Sequence, residues 1–153
     1  MAHMHYKGTG KVHSFRGLLV DQAQNEIRIQ GPVGAIAWRI TKFEIMPELP
    51  GASYSESIVQ IWREEQTSAS STINFDNDEL LAAAFVAADT QAHAYYSTPT
   101  IIFDNALFSR NIWVTNQELQ GTNTNYYIEL EEVKVSAAGM AQLAVAAARR
   151  TID

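Results

Sequence analysis

Glu129 and Glu131 stand two residues apart in the β-rich run 126–135, with Tyr127 one further step back. Side chains alternate between the two faces of a strand, so both carboxylates and the phenol share one face while Ile128 and Leu130 take the other. Two carboxylates at that spacing beneath a cleft could serve glycoside hydrolysis, one as acid and one as base or nucleophile. Without a cleft, the same row is the wet side of an antiparallel sheet. A second set of candidates is aromatic: Trp38, Trp62, Trp113, Tyr95-Tyr96 and Tyr126-Tyr127. An aromatic face can stack on the apolar face of a sugar ring, and a tyrosine keeps a polar handle beside it. Tyr95 and Tyr96, in a stretch rich in Ser and Thr, are the pair expected at the surface and are the candidate glycan contacts. The tryptophans sit among apolar neighbours and are expected in the core.

Other chemistry finds no footing. His3, His5, His13 and His93 match no zinc or iron spacing, so no metal site is expected. Asp76-Asn77-Asp78-Glu79 offers hard oxygen ligands but lacks the glycine and distal glutamate of a calcium loop, and reads as a solvated turn. There is no nucleophile elbow, phosphate-binding loop or dinucleotide fingerprint; no catalytic residue and no cofactor is expected. With no cysteine, thiolate catalysis, thiolate metal sites and disulfides are excluded. Lys and Arg number 11 against 17 Asp and Glu, a net charge of −6, and Arg149-Arg150 is the longest basic cluster. A nucleic-acid partner would need a positive stripe to neutralise phosphates. No apolar run approaches the roughly 18 residues that span a bilayer, and no signal-peptide core is seen at the N-terminus.

The positioning elements are strands. A chain of 153 residues with 46% hydrophobic and 18% charged content suits one domain with a real core. It divides into a flexible arm (1–11), a β-sandwich domain (12–135) and a C-terminal helix and tail (136–153). Strands are expected over 12–20, 26–30, 36–46, 58–65, 72–75, 100–103, 107–116 and 126–135. Hairpin loops are expected at 21–25 and 121–125, and a loop at 47–57. Residues 80–88 are ambiguous: the alanines and acidic start favour a helix, the length and neighbours a buried strand, which is preferred. Within 36–46, Ile36, Trp38 and Ile40 share one face while Phe43 and Ile45 fall on the other. That flip marks a bulge or a strand changing sheets. Eight or so short strands predict a mainly β fold, an antiparallel β-sandwich or jelly roll with a C-terminal helix.

Ser136 can cap a helix over 137–150. Met140, Leu143, Ala144 and Ala147 share one face of it, and the opposite face is nearly apolar too. A short helix of that character must dock, on its own sandwich or on a neighbouring subunit. There is also an internal echo: Ile73-Asn74-Phe75-Asp76-Asn77 and Ile101-Ile102-Phe103-Asp104-Asn105 match at four of five positions. It reads as repeated turn chemistry with a buried aromatic.

The stretches Asp78-Glu79-Leu80-Leu81-Ala82, Ile101-Ile102-Phe103-Asp104-Asn105, Asn111-Ile112-Trp113-Val114-Thr115 and Asn125-Tyr126-Tyr127-Ile128-Glu129-Leu130-Glu131 resemble small β-rich, virion-associated proteins of marine tailed phages. The resemblance spans about 58–135. It implies a structural role in the virion without catalysis, such as capsid decoration on the outer surface of the particle. Major capsid protein or other virion proteins would be the partners, and the chain a homo-oligomer; a trimer would suit icosahedral three-fold positions. The resemblance carries no functional residues across.

Overall fold

Apolar side chains at alternate positions, rich in Val, Ile and aromatics, make extended strands of most of the runs named above. In the computed structural model, residues 8–29, 36–50, 54–89, 98–103, 106–135 and 138–139 are described. They form β1 (Gly8–Leu19), β2 (Gln24–Ile27), β3 (Ile36–Pro47), β4 (Tyr54–Trp62), β5 (Leu80–Asp89), β6 (Thr100–Ile102), β7 (Ile112–Glu118) and β8 (Thr124–Lys134). Two antiparallel sheets result: three strands in the order β1-β8-β3 and five in the order β2-β7-β4-β5-β6.

One core joins the inner faces. Ile40, Phe43, Ile45, Ile128 and Leu130 of the small sheet cluster with Val59, Ile61, Val86, Ile112 and Val114 of the large one. β5 is a strand, as preferred. Its alanines are explained by its neighbour: β3 lies against it, and Ala82 and Ala84 share the core with Trp38, Ile40 and Phe43. Small residues there leave room for the bulky side chains of the facing strand.

The phase flip in β3 is a bulge. Ile40 stands opposite Leu130 and Lys42 opposite Glu129, leaving Thr41 as the extra residue. The inserted residue returns Phe43 and Ile45 to the core face that Trp38 and Ile40 occupy.

Two expected hairpins are crossings between sheets instead. β1 pairs with β8 and β2 with β7, so 20–23 carries the chain from one sheet to the other. Asn116, fully buried, pins this corner: its side-chain amide donates to the carbonyls of Leu19 (3.2 Å) and Val20 (3.4 Å), and its backbone carbonyl accepts from the Gln22 backbone amide at 2.8 Å. Likewise β7 and β8 lie in different sheets, and 119–123 crosses between them. Turn chemistry looks the same whether a turn joins neighbours or partners across a core, which is why composition suggested hairpins.

Other boundaries shift. β1 begins at Gly8, inside the expected arm; β2 covers 24–27 rather than 26–30; β4 starts at Tyr54, inside the expected loop. β7 begins at Ile112, while Phe108 exchanges two backbone hydrogen bonds with Trp38 at the edge of β3, at 2.7 and 3.0 Å. No strand forms over 72–75. Residues 63–79 instead cross the outer face of the large sheet. Gln60 Nε2 donates to the carbonyls of Ser70 and Thr72 at 3.2 and 3.3 Å, and Gln24 and Gln66 bond reciprocally at 3.0 and 2.8 Å. Gln60, Trp62 and Thr115, outward-facing on their strands, are thereby buried. The echoed phenylalanines meet: Phe75 and Phe103 pack edge to face at 5.2 Å. Phe75, expected to be buried, remains 56% exposed.

Met140, Leu143, Ala144 and Ala147 lie outside the described residues. Of the expected helix only Ala138 and Gly139 are described; both are helical, and Gly139 is buried.

Candidate binding site on the three-stranded sheet

Cross-strand register sets out the outer face of the small sheet in rows. Val12, Glu131 and Arg39 form one, then Ser14, Glu129 and Lys42, then Arg16, Tyr127 and Glu44, then Leu18, Asn125 and Met46. Ile128, Leu130 and Tyr126, the alternate residues of β8, point into the core. The expected sharing of one face by Tyr127, Glu129 and Glu131 therefore holds.

Both carboxylates have partners within the sheet. Arg39 donates from Nε (2.9 Å) and Nη2 (2.5 Å) to Glu131 Oε1. The start of β1 crowds the same carboxyl group, since a Cβ at Gly8 would collide with it. Tyr127 Oη donates to Glu129 Oε1 at 2.8 Å. This bond, then desolvation and the negative charge of Glu129, raises the Tyr127 pKa above its ordinary value of 10.0. Lys42 lies 5.9 Å from the centre of the Tyr127 ring and 3.9 Å from Glu44. The Arg39–Glu131 pair and the Lys42 ammonium over the Tyr127 ring tie β3 to β8.

Beyond it, toward the Leu18–Met46 end, a cavity of about 930 Å3 opens. Arg16 and Leu18 of β1, Glu44 and Met46 of β3, and Asn125 and Tyr127 of β8 line it, together with Thr98 and Thr100. Its volume falls within the roughly 300–1,000 Å3 of small-molecule sites. Arg16 makes no ion pair among the described residues. Arg16, Glu44, Asn125 and the threonines offer donors and acceptors of balanced charge, while Leu18, Phe43, Ile45 and Met46 add apolar surface, a mixture that suits a neutral ligand with hydroxyls on an apolar frame.

No family model matches the chain, and no curated protein or solved structure matches it.

The remaining candidates separate. Tyr95 and Tyr96 lie outside the described residues, although Thr98, two positions after Tyr96, lines the cavity. Trp38 is in the core between the sheets, as expected, and Trp62 is buried on the outer side of the large sheet, whereas Trp113, also expected in the core, is only half-buried. His13 Nε2 is 3.2 Å from Glu132 Oε1, and its ring packs edge to face on Trp38 at 5.0 Å. His3, His5 and His93 lie outside the described residues. The acidic stretch 76–79 is a turn held by Asn side chains, with Asn74 Oδ1 accepting from the Asp76 amide and Asn77 Oδ1 from the Glu79 amide, each at 3.0 Å. Arg16, Glu44 and Asn125 were missed. Each is an ordinary polar position in an alternating strand, and only the pairing of β1 and β3 with β8 gathers them.

Proposed function

We propose that the chain is a structural protein of a phage particle, a capsid decoration protein held on the outer surface by contacts with the major capsid protein or another virion protein. The observation that carries this reading is the strand order. β1 bonds to β8, β2 to β7 and β4 to β5, while β3 lies beside β6. The ordinals of each couple sum to nine, as in a long antiparallel ribbon rolled into a jelly roll, an architecture used by viral capsid and lectin domains. β6 departs from the pattern by bonding to β5. A fold shared by many functions needs support from the surface. Ile73, Phe75 and Ile101 stay exposed, and apolar side chains left in water suit protein–protein contact. On this reading the chain works by contact rather than catalysis, in keeping with two carboxylates engaged by Arg39 and Tyr127. The C-terminal segment 136–153, through Met140, Leu143, Ala144 and Ala147, is proposed to grip a neighbour.

The test is direct. Particles purified from infected cells should contain the chain at stoichiometric copy number by mass spectrometry, and recombinant protein should bind shells that lack it. Deleting 137–153 should weaken attachment more than folding. Absence of the chain from intact particles overturns the reading.

The cavity favours a second reading, a carbohydrate- or receptor-binding module. It predicts glycan affinity by calorimetry that Arg16→Ala abolishes and that Tyr95→Ala with Tyr96→Ala weakens. A glycan screen without a binder rejects it.

A further inference from the structure

We infer that β1 is the contact strand of a homodimer, in which two copies pair antiparallel about Phe15 and join their small sheets into one of six strands. The occupant of the edge is a second copy of this chain, and the inference is independent of the particle reading.

Among the described residues β1 is the long free edge. It bonds to β8 on one side and has no ladder on the other. The edge of β3 is engaged by Phe108, and the edge strands of the large sheet, β2 and β6, have four and three residues. From Val12 to Leu19 the register with β8 is unbroken; the irregularity in β1 falls between Gly8 and Val12, where Gly10 has φ +82°. Free edges are ordinarily guarded by charges, prolines or bulges. Here the bulge precedes the regular stretch, and Arg16 is the single Lys or Arg within 12–19.

The exposed side chains of this edge are complementary to themselves. Residues directly opposite in an antiparallel pair point to the same face, so outward Val12, Ser14, Arg16 and Leu18 must meet outward residues of the partner. Centring on Phe15 sets Val12, 52% exposed, against Leu18, 43% exposed, and Ser14 against Arg16. Both contacts occur twice by symmetry. Centring on Ser14 would oppose Val12 to Arg16, and centring on Arg16 would oppose two like charges. Only the register about Phe15 covers both apolar side chains without a charge conflict.

Light scattering on the full chain over a rising concentration series tests this. The expected result is a limiting mass twice the 17.0 kDa of one chain. Val12→Lys with Leu18→Lys should shift the midpoint at least tenfold upward, with an unchanged circular dichroism spectrum. Val12→Lys with Leu18→Glu, which opposes unlike charges in the proposed register, should restore the dimer. The register is read separately by trapping: this chain has no cysteine, and opposite Cα atoms about 4.5–5.5 Å apart suit a disulfide. Ser14→Cys with Arg16→Cys should therefore oxidise to a covalent dimer. A monomer throughout, a trimer, or a dimer indifferent to both charge variants and untrapped by oxidation overturns the inference. None of these outcomes bears on whether particles contain the chain.

Discussion

The Glu56 backbone amide donates to Glu118 Oε1 across β4 and β7 at 2.7 Å, and this bond is one of three that a single buried carboxylate receives. Glu118 Oε2 accepts from the amides of Gln120 (3.0 Å) and Thr122. The carboxylate thus supplies acceptors to the crossing that carries the chain from β7 to β8. Nearby, the buried hydroxyls of Ser57 and Thr124 hydrogen-bond to each other between the sheets. Glu118→Ala strands three amides at once, and an unmade buried hydrogen bond costs about 1–3 kcal/mol. The expected loss is about 3 kcal/mol in urea unfolding, with an unchanged denaturant slope. Glu118→Gln keeps the shape but places an NH2 among donors, and should lose about 2 kcal/mol.

Thr115 accepts the indole hydrogen of Trp62 at 2.9 Å beneath residues 63–79. Both side chains are buried. Thr115→Val keeps the volume and orphans the indole N–H, so stability should fall by about 2 kcal/mol. Proteolysis measured alongside unfolding locates the effect. Cleavage within 63–79 should accelerate more than global unfolding predicts if this segment rests on the pair.

Gly17 faces the Tyr126 ring so closely that a Cβ would lie 2.8 Å from its oxygen and 2.9 Å from two ring carbons. The glycine is required by space, and Gly17→Ala should destabilise by about 2 kcal/mol through overpacking. Adding Tyr126→Leu should recover part of that loss in a thermal melt. A neutral Gly17→Ala variant would show that β1 and β8 separate more readily than their register suggests.

The Tyr127 pKa is raised above its ordinary value of 10.0, chiefly by the hydrogen bond to Glu129. A phenol whose folded pKa is raised contributes stability that is fully present below its unfolded value of 10.0 and is lost as pH rises through the folded value. Stability should therefore be flat in this term at neutral pH and fall above pH 10. Glu129→Ala removes both the acceptor and its charge, so phenolate absorbance for Tyr127 should appear at lower pH in that variant.

Strand content, the buried β5 and the phase flip within β3 were legible because period-two patterning is local; that the flip is a bulge at Thr41 and not a change of sheet came from the register with β8. The sharing of a face by Tyr127, Glu129 and Glu131 followed from the same rule. Which strand pairs with which was not legible. Asp21-Gln22 and 121–125 carry ordinary turn residues, and nothing nearby states that the flanking strands belong to opposite sheets. The cavity was hidden for the same reason, since Arg16, Glu44 and Asn125 come together from strands far apart in sequence. Residues 63–79 looked like a short strand between turns because Ile73 and Phe75 are apolar; in the structure those side chains belong to a covering segment.

The place of β8 between β1 and β3 has a consequence for synthesis. β4 and β5 can pair as soon as both have left the ribosome, and β2 acquires its partner when β7 follows. β1 and β3 acquire theirs only when β8 emerges, more than a hundred residues after β1. Until then both are ribbons of unmet amides and carbonyls, the state in which strands capture one another across chains. The small sheet thus closes only with its last strand, and a nascent chain stopped short of β8 presents the very edges that β8 conceals in the finished sheet.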